Sequence, residues 1–183
     1  MEDKKSIWTE AGNAGLVLGG VSILYMAANW LLGKCQTENV ALAMLTSMMS
    51  LALWAAKFYA CIKLMQTFMT RFSEANPDAD NSDTFRFGAL TGMLSAVVYS
   101  AAYLAYMQFI APGMLEQAME AMKEMPLIDA NTLSQMERMM PKMPVITTIT
   151  NLFYCSIFGI VLSAILSRNI PSRNPFEGGK TEE

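Results

Sequence analysis

Four apolar stretches, at about residues 11–32, 40–64, 87–110 and 145–166, decide the solvent in which this chain folds. Each reaches the roughly 20 residues that a helix needs to cross ~30 Å of hydrocarbon. Lipid offers no partner for backbone N–H and C=O groups, so each stretch must satisfy them internally as a helix. The expected fold class is therefore all-α: an integral membrane four-helix bundle. Residues 11–166 form the transmembrane domain, residues 1–10 and 167–183 are tails, and a loop at 111–144 separates the third and fourth spans.

Composition removes several function classes. Of 183 residues only 16% are charged, against about 25% in soluble domains. The net charge of −3 leaves no basic patch for nucleic acid; the partner that composition names is the lipid bilayer. There is no histidine, so the commonest general base and metal ligand are missing. Cys35, Cys61 and Cys155 stand far apart, with no C-x-x-C pair. Neither a metal, a cofactor nor an enzymatic activity is expected. The first span follows Lys4 and Lys5 as a signal peptide would, but its apolar run exceeds the usual ~7–15 residues and no A-x-A site follows. Lys34 directly before Cys35 also spoils a lipoprotein cleavage box. The segment reads as an uncleaved helix.

Charge sets the topology. Lys4, Lys5, Lys63, Arg71, Arg86, Arg168, Arg173 and Lys180 fall on one side, and Lys34, Lys123, Arg138 and Lys142 on the other. The positive-inside rule places both termini in the cytoplasm and the 111–144 loop outside. Trp8 and Trp30, 22 positions apart, bracket about 33 Å of helix as interfacial anchors. Lys57 is the one charge within a span away from its last turn, where Lys63 lies, and it is the candidate functional charge. Counted from Val40 it lies near the cytoplasmic face, so the simpler expectation is that it snorkels there, with the helix running on past Tyr59 to Phe72 along the interface.

Small residues mark the packing faces, because helices in lipid associate by close backbone approach. Gly15 and Gly19, with Ser22, align with Gly88 and Gly92, with Ser95, at a constant offset of 73. That pattern raises the prospect of two hairpins repeated in parallel. Gly159 and Ser163 mark the fourth span, and Ala52, Ala56 and Ala60 the second. Asn29, Gln108 and Asn151, with Thr147, Thr150 and Ser156, are expected to hydrogen-bond between helices; a polar cleft open to the outside is the sharper alternative.

The cytoplasmic loop has acidic residues at Asp78 and Asp80, but Asp83 and Ala89 occupy the positions where a calcium loop needs Gly and Glu. Ser82 or Asp83 is expected to cap the third helix. In the outer loop, Pro112 opens and Pro126 ends an amphipathic helix, and a second follows at about 131–140. Met114, Leu115, Met119, Met122, Met136 and Met140 form the apolar side of the pair, the candidate surface for a partner. Glu116, Glu120 and Glu124 form a stripe expected to stay in water. The thioethers are also a Cu(I) donor set, though methionine is the more economical filler of an apolar face.

Phe87-Gly88-Ala89-Leu90-Thr91-Gly92 at the third span, Phe109-Ile110-Ala111-Pro112 at its close, the Met/Glu-rich segment after it and the basic end at Arg168 together resemble a four-helix membrane family of Bacteroidetes, domain of unknown function 4199, over about residues 12–168. The resemblance implies a bacterial inner-membrane location and four spans. It implies no activity and no functional residues. The function expected is that of a non-enzymatic scaffold or accessory subunit, binding another membrane or periplasmic protein through the outer loop. The alternative is a small transporter or channel acting as a homo-oligomer. No carboxylate lies inside a span, which argues against a proton-coupled carrier.

Overall fold

A computed structural model of the chain describes residues 2–34, 40–76, 79–123 and 129–170. It is all-α among these residues: α1 (Glu2–Lys34), α2 (Val40–Ala75), α3 (Asn81–Ala105), α4 (Met114–Lys123), α5 (Ala130–Met139) and α6 (Met143–Asn169). Four helices are long and apolar enough to cross a membrane, and the chain is a multi-pass membrane protein. The end where α1 begins and α6 ends is called the base, and the opposite end, with α4 and α5, the crown.

The helix ends follow local chemistry. Asp80 caps α3, its carboxylate accepting from the Asp83 amide at 2.8 Å, so the cap is neither Ser82 nor Asp83. Asp129 caps α5 in the same way through the Thr132 amide at 3.2 Å. Pro112 lies in the turn ahead of α4 rather than at its first position; Pro144 fits the first turn of α6, where its missing N–H is no loss. The last turn of α3 widens into a π-helix, Tyr106–Ile110, closed by Ala111 N–H donating to Tyr106 C=O at 2.9 Å.

Packing is densest at the base and centres on α3, which lies between α1 and α6. A Cβ on Gly92 would stand 2.8 Å from Gly159 Cα, so the two antiparallel backbones touch at this pair. One turn along, Gly88 leaves room for the Ser163 hydroxyl and the Met69 thioether. Ser163 Oγ donates across the interface to Phe85 C=O at 2.8 Å. On the other side of α3, Gly15 fits against Leu94, Thr91 and Ser95, and Gly19 against Val98 and Ser95. The two Gly-x3-Gly faces therefore serve different interfaces. That is not what a repeated hairpin requires, since α1 turns its glycines to α3 and not to its sequence neighbour α2.

Met65, Met69 and Phe72 of α2 close the base with Phe87, whose ring stacks on Phe72 at 4.4 Å. α2 continues past Tyr59 as expected, unbroken for 36 residues, but Met65, Met69 and Phe72 of its last turns pack in the core instead of lying open along an interface. Ala52 and Ala56 are exposed and Ala60 half-buried, so that alanine stripe does not pack a helix. Between Val40 and Ala60 only Thr46 is buried, and it satisfies its hydroxyl on its own helix, at Leu42 and Ala43 C=O. The crown half of α2 is thus largely exposed, and the bundle opens toward the crown.

Candidate functional site: a lysine cavity beneath a tyrosine-lined groove

The side chain of Lys57 runs into the bundle. Its ammonium lies 5.0 Å from the centroid of the Tyr25 ring and 5.0 Å from that of Tyr99. The expectation that it snorkels to the base is overturned, and the reason is geometric. Cα–Cβ bonds tilt toward a helix N-terminus, which for α2 is the crown end. Tyr25 lies five residues from Trp30 toward the base, about 7.5 Å along the helix, so the ammonium sits well below the crown end of α1. Among the described residues its Nζ meets no carboxylate; the ring faces provide cation–π attraction instead.

Lys57 lines a cavity of about 150 Å³ between all four spanning helices, with Ser22, Cys61, Ser95, Tyr99 and Cys155 among its walls. Ser22 and Cys61 line it from α1 and α2. Cys155 Sγ donates to Asn151 Oδ1 at 3.9 Å, and Asn151 and Tyr99 both border the space next to it. Two cysteines that are isolated in sequence therefore face one space; Cys35 lies outside the described residues.

Above the cavity a groove of about 680 Å³ opens at the crown between α1 and α3. Tyr25, Asn29 and Trp30 line one wall, and Tyr99, Tyr103 and Tyr106 the other, with Gln117 of α4 at the mouth. Tyr99, Tyr103 and Tyr106 stand at i, i+4 and i+7, with neighbouring rings 6.3 Å apart, and the π turn begins at Tyr106, the last of the three. Lys34 sits at the groove over the Trp30 ring, at 4.2 Å. A smaller cavity of about 260 Å³, between Tyr99, Tyr103, Thr147, Thr150, Asn151 and Tyr154, adjoins on the α6 side. Tyr99 borders all three spaces. Sequence reasoning missed this ladder, although the spacing of its tyrosines was a readable signal.

The other residues singled out from sequence divide clearly. Gly15, Gly19, Gly88, Gly92, Gly159 and Ser163 are at helix contacts, and Gly92, Gly159, Ser22 and Ser95 line the cavity. Asn151 joins a polar network; Asn29 lines the groove and Gln108 is exposed. In the crown, Met119 is buried and Leu115, Met122, Met136 and Met140 are half-buried, while Glu116 and Glu120 face outward. The side chain of Met114, and Glu124 as a whole, lie outside the described residues. Lys123 pairs with Glu137 at 2.8 Å, tying α4 to α5; the hydrogen bond from Lys123 and the charge of Glu137 hold the lysine above its ordinary range. Hydrogen bonds from Thr132 hold the Asp129 carboxyl below its ordinary range.

The profile of the family described as Protein of unknown function (DUF4199) matches residues 13–168, and the chain belongs to that family. No curated protein and no solved structure matches it significantly.

Proposed function

We propose that this DUF4199 member is a non-enzymatic protein of the bacterial inner membrane, from the Bacteroidetes, that receives a ligand in a cavity reached from the crown. This is the transporter or channel class rather than the scaffold class. The observation that carries it is Lys57: a cation with no carboxylate partner among the described residues, at the foot of a tyrosine-lined groove, in a bundle closed at its base by Met65, Met69, Phe72 and Phe87. A scaffold working through its outer loop would present the methionine faces of α4 and α5. Among the described residues Met119 is buried and Leu115, Met122, Met136 and Met140 are half-buried, so those faces are not left open to a partner. The basic-residue distribution supports a crown on the outside and both termini in the cytoplasm.

Substituted-cysteine labelling tests this reading in a background where Cys35, Cys61 and Cys155 are Ser. A charged, membrane-impermeant thiosulfonate added from the crown side should modify Tyr106→Cys rapidly and leave Leu166→Cys untouched. Equal protection of both positions would show that no water-filled groove reaches into the bundle. Labelling of Tyr106→Cys only from the base side would invert the topology.

A further inference from the structure

We propose that the Lys57 cavity binds the carboxylate of an acyl-chain acid that enters from the bilayer through the seam between α2 and α6. This rests on the reading above only in that Lys57 receives a ligand; it names that ligand and gives the cavity a second, lateral entrance beside the crown groove.

Charge is the first argument. Lys57 and Lys34 are the charged residues lining the cavity and the groove, with no Asp or Glu among the lining residues. The whole chain carries 16 acidic against 13 basic residues, so the sign of the site opposes that of the molecule. A lysine ammonium has three N–H donors. The two tyrosine faces attract its charge but give those donors no in-line acceptor, and a carboxylate supplies one.

The wall of the cavity is the second argument. α3 and α6 are locked together by glycine contacts, but nothing comparable joins α2 to α6. Aromatic rings fill that seam instead: Trp54 stacks on Phe58 at 5.7 Å, and Phe58 meets Phe158 at 5.3 Å. These residues and Tyr154 line the cavity, yet Trp54, Phe58 and Tyr154 are exposed on the lipid side. The barrier between Lys57 and the acyl region is one ring thick. Rotation of such rings opens a slot without moving a helix backbone.

Size selects among anions. A cavity of about 150 Å³ matches one known to hold a benzene-sized group. It accommodates a planar carboxylate and the first few methylenes, with the rest of the chain left in lipid. A phosphodiester headgroup with its glycerol does not fit that volume, and a single lysine suits a monoanion. The apolar, aromatic lining disfavours a fully hydrated inorganic anion.

The test uses the full chain in nanodiscs of phosphatidylcholine and a palmitic acid probe with a diazirine near its carboxyl end. The label should map to residues 54–61 and 154–158. Excess oleate should abolish labelling and excess butyrate should not. The methyl ester of the probe, on the wild-type protein, should label about tenfold less, the scale of one lost charge-assisted hydrogen bond. Lys57→Gln should match the ester result, and Lys57→Arg should retain labelling. Equal labelling by the ester, or label only at lipid-facing positions such as Met44 and Met48, overturns the proposal. Competition by butyrate as effective as that by oleate moves the source to water and overturns entry from the bilayer. A groove open to the thiosulfonate with no acid labelling defeats the ligand assignment alone. Acid labelling with a closed groove defeats the crown-access reading alone.

Discussion

Gly92 and Gly159 meet backbone to backbone, so close that a Cβ on either would lie 2.8 Å from the other's Cα. Lipid gives helices no hydrophobic reward for associating, and contact of this kind supplies van der Waals attraction in its place. The pair fixes α3 against α6 near mid-length. The helices can then separate toward the crown without losing their base.

Substitutions at glycines should separate by contact and not by depth. Gly92→Ala forces apart two backbones that have no flexible side chain to yield, and should destabilise the bundle by about 1–3 kcal/mol, the range for overpacking. Gly20 has nothing within 4 Å of its would-be Cβ, so Gly20→Ala should be neutral, or stabilising by up to about 1 kcal/mol through helix propensity. Unfolding in mixed micelles at increasing denaturing detergent measures both. Equal effects at the two positions would show that the α3/α6 contact is looser than described.

Ser163 Oγ, fully buried, bonds the Phe85 carbonyl from a different helix. Ser163→Ala should cost about 0.6 kcal/mol and at most ~1.7, the measured span for hydrogen bonds between membrane helices. Ser163→Val should cost more, because the added methyls meet Gly88 and Met69 where a Cβ already has no room. The same unfolding assay orders the two variants; a milder effect from Val than from Ala would contradict this packing.

Lys57 is expected to contribute little to folding. An ammonium placed in a span is unfavourable by about 2.5–3.5 kcal/mol on the insertion scale, and two cation–π contacts offset roughly 0.5–2 kcal/mol each. Lys57→Met should therefore leave stability unchanged or raise it, and Lys57→Arg should fold. A loss above ~2 kcal/mol from Lys57→Met would mark the lysine as a structural member of the bundle and weaken the case for a ligand site.

The crown should respond to pH in two windows. Asp129 is held below its ordinary carboxylate value of 3.8 by its bonds from Thr132. Its contribution is present above that value and is lost as pH falls through the lowered one. Lys123 is held above its ordinary 10.5 by Glu137, so its contribution is full below 10.5 and is lost as pH rises through the raised value. The Thr132 amide resonance should therefore titrate with a midpoint under 3.8 and stay flat through neutral pH. A midpoint at or above 3.8 would mean that the cap does not form.

Much of the frame was legible before the structure. Length and hydropathy identify four spans, and Gly15, Gly19, Gly88, Gly92 and Gly159 announce close approach because no other residue permits it. What each glycine faces was not legible: a Gly-x3-Gly face has no address, and the shared pattern of α1 and α3 suggested a repeat that the packing does not keep. Lys57 was misplaced because counting from Val40 assumed that the hydrocarbon begins where the helix does. A helix of 36 residues outruns ~30 Å of hydrocarbon, so residue count alone does not give depth. Cys61 and Cys155 converge from separate helices, a relation that spacing along one chain does not encode. The tyrosines were different: Tyr99, Tyr103 and Tyr106 share a face by sequence alone, and only the search for charges and small residues hid them.

A ligand route from the crown to Lys57 requires that water occupy the groove between α1 and α3. Nitroxides attached at Tyr103→Cys, in the groove, and at Ile149→Cys, on the exposed side of α6 in the same half of the bundle, allow a comparison in nanodiscs. Relaxation by a water-soluble nickel chelate and by oxygen is read at each site. Tyr103→Cys should be the more accessible to the chelate and Ile149→Cys to oxygen. The reverse order, or oxygen-dominated relaxation at both, would mean that lipid or packed side chains fill the space, and that Lys57 has no route to the outer face.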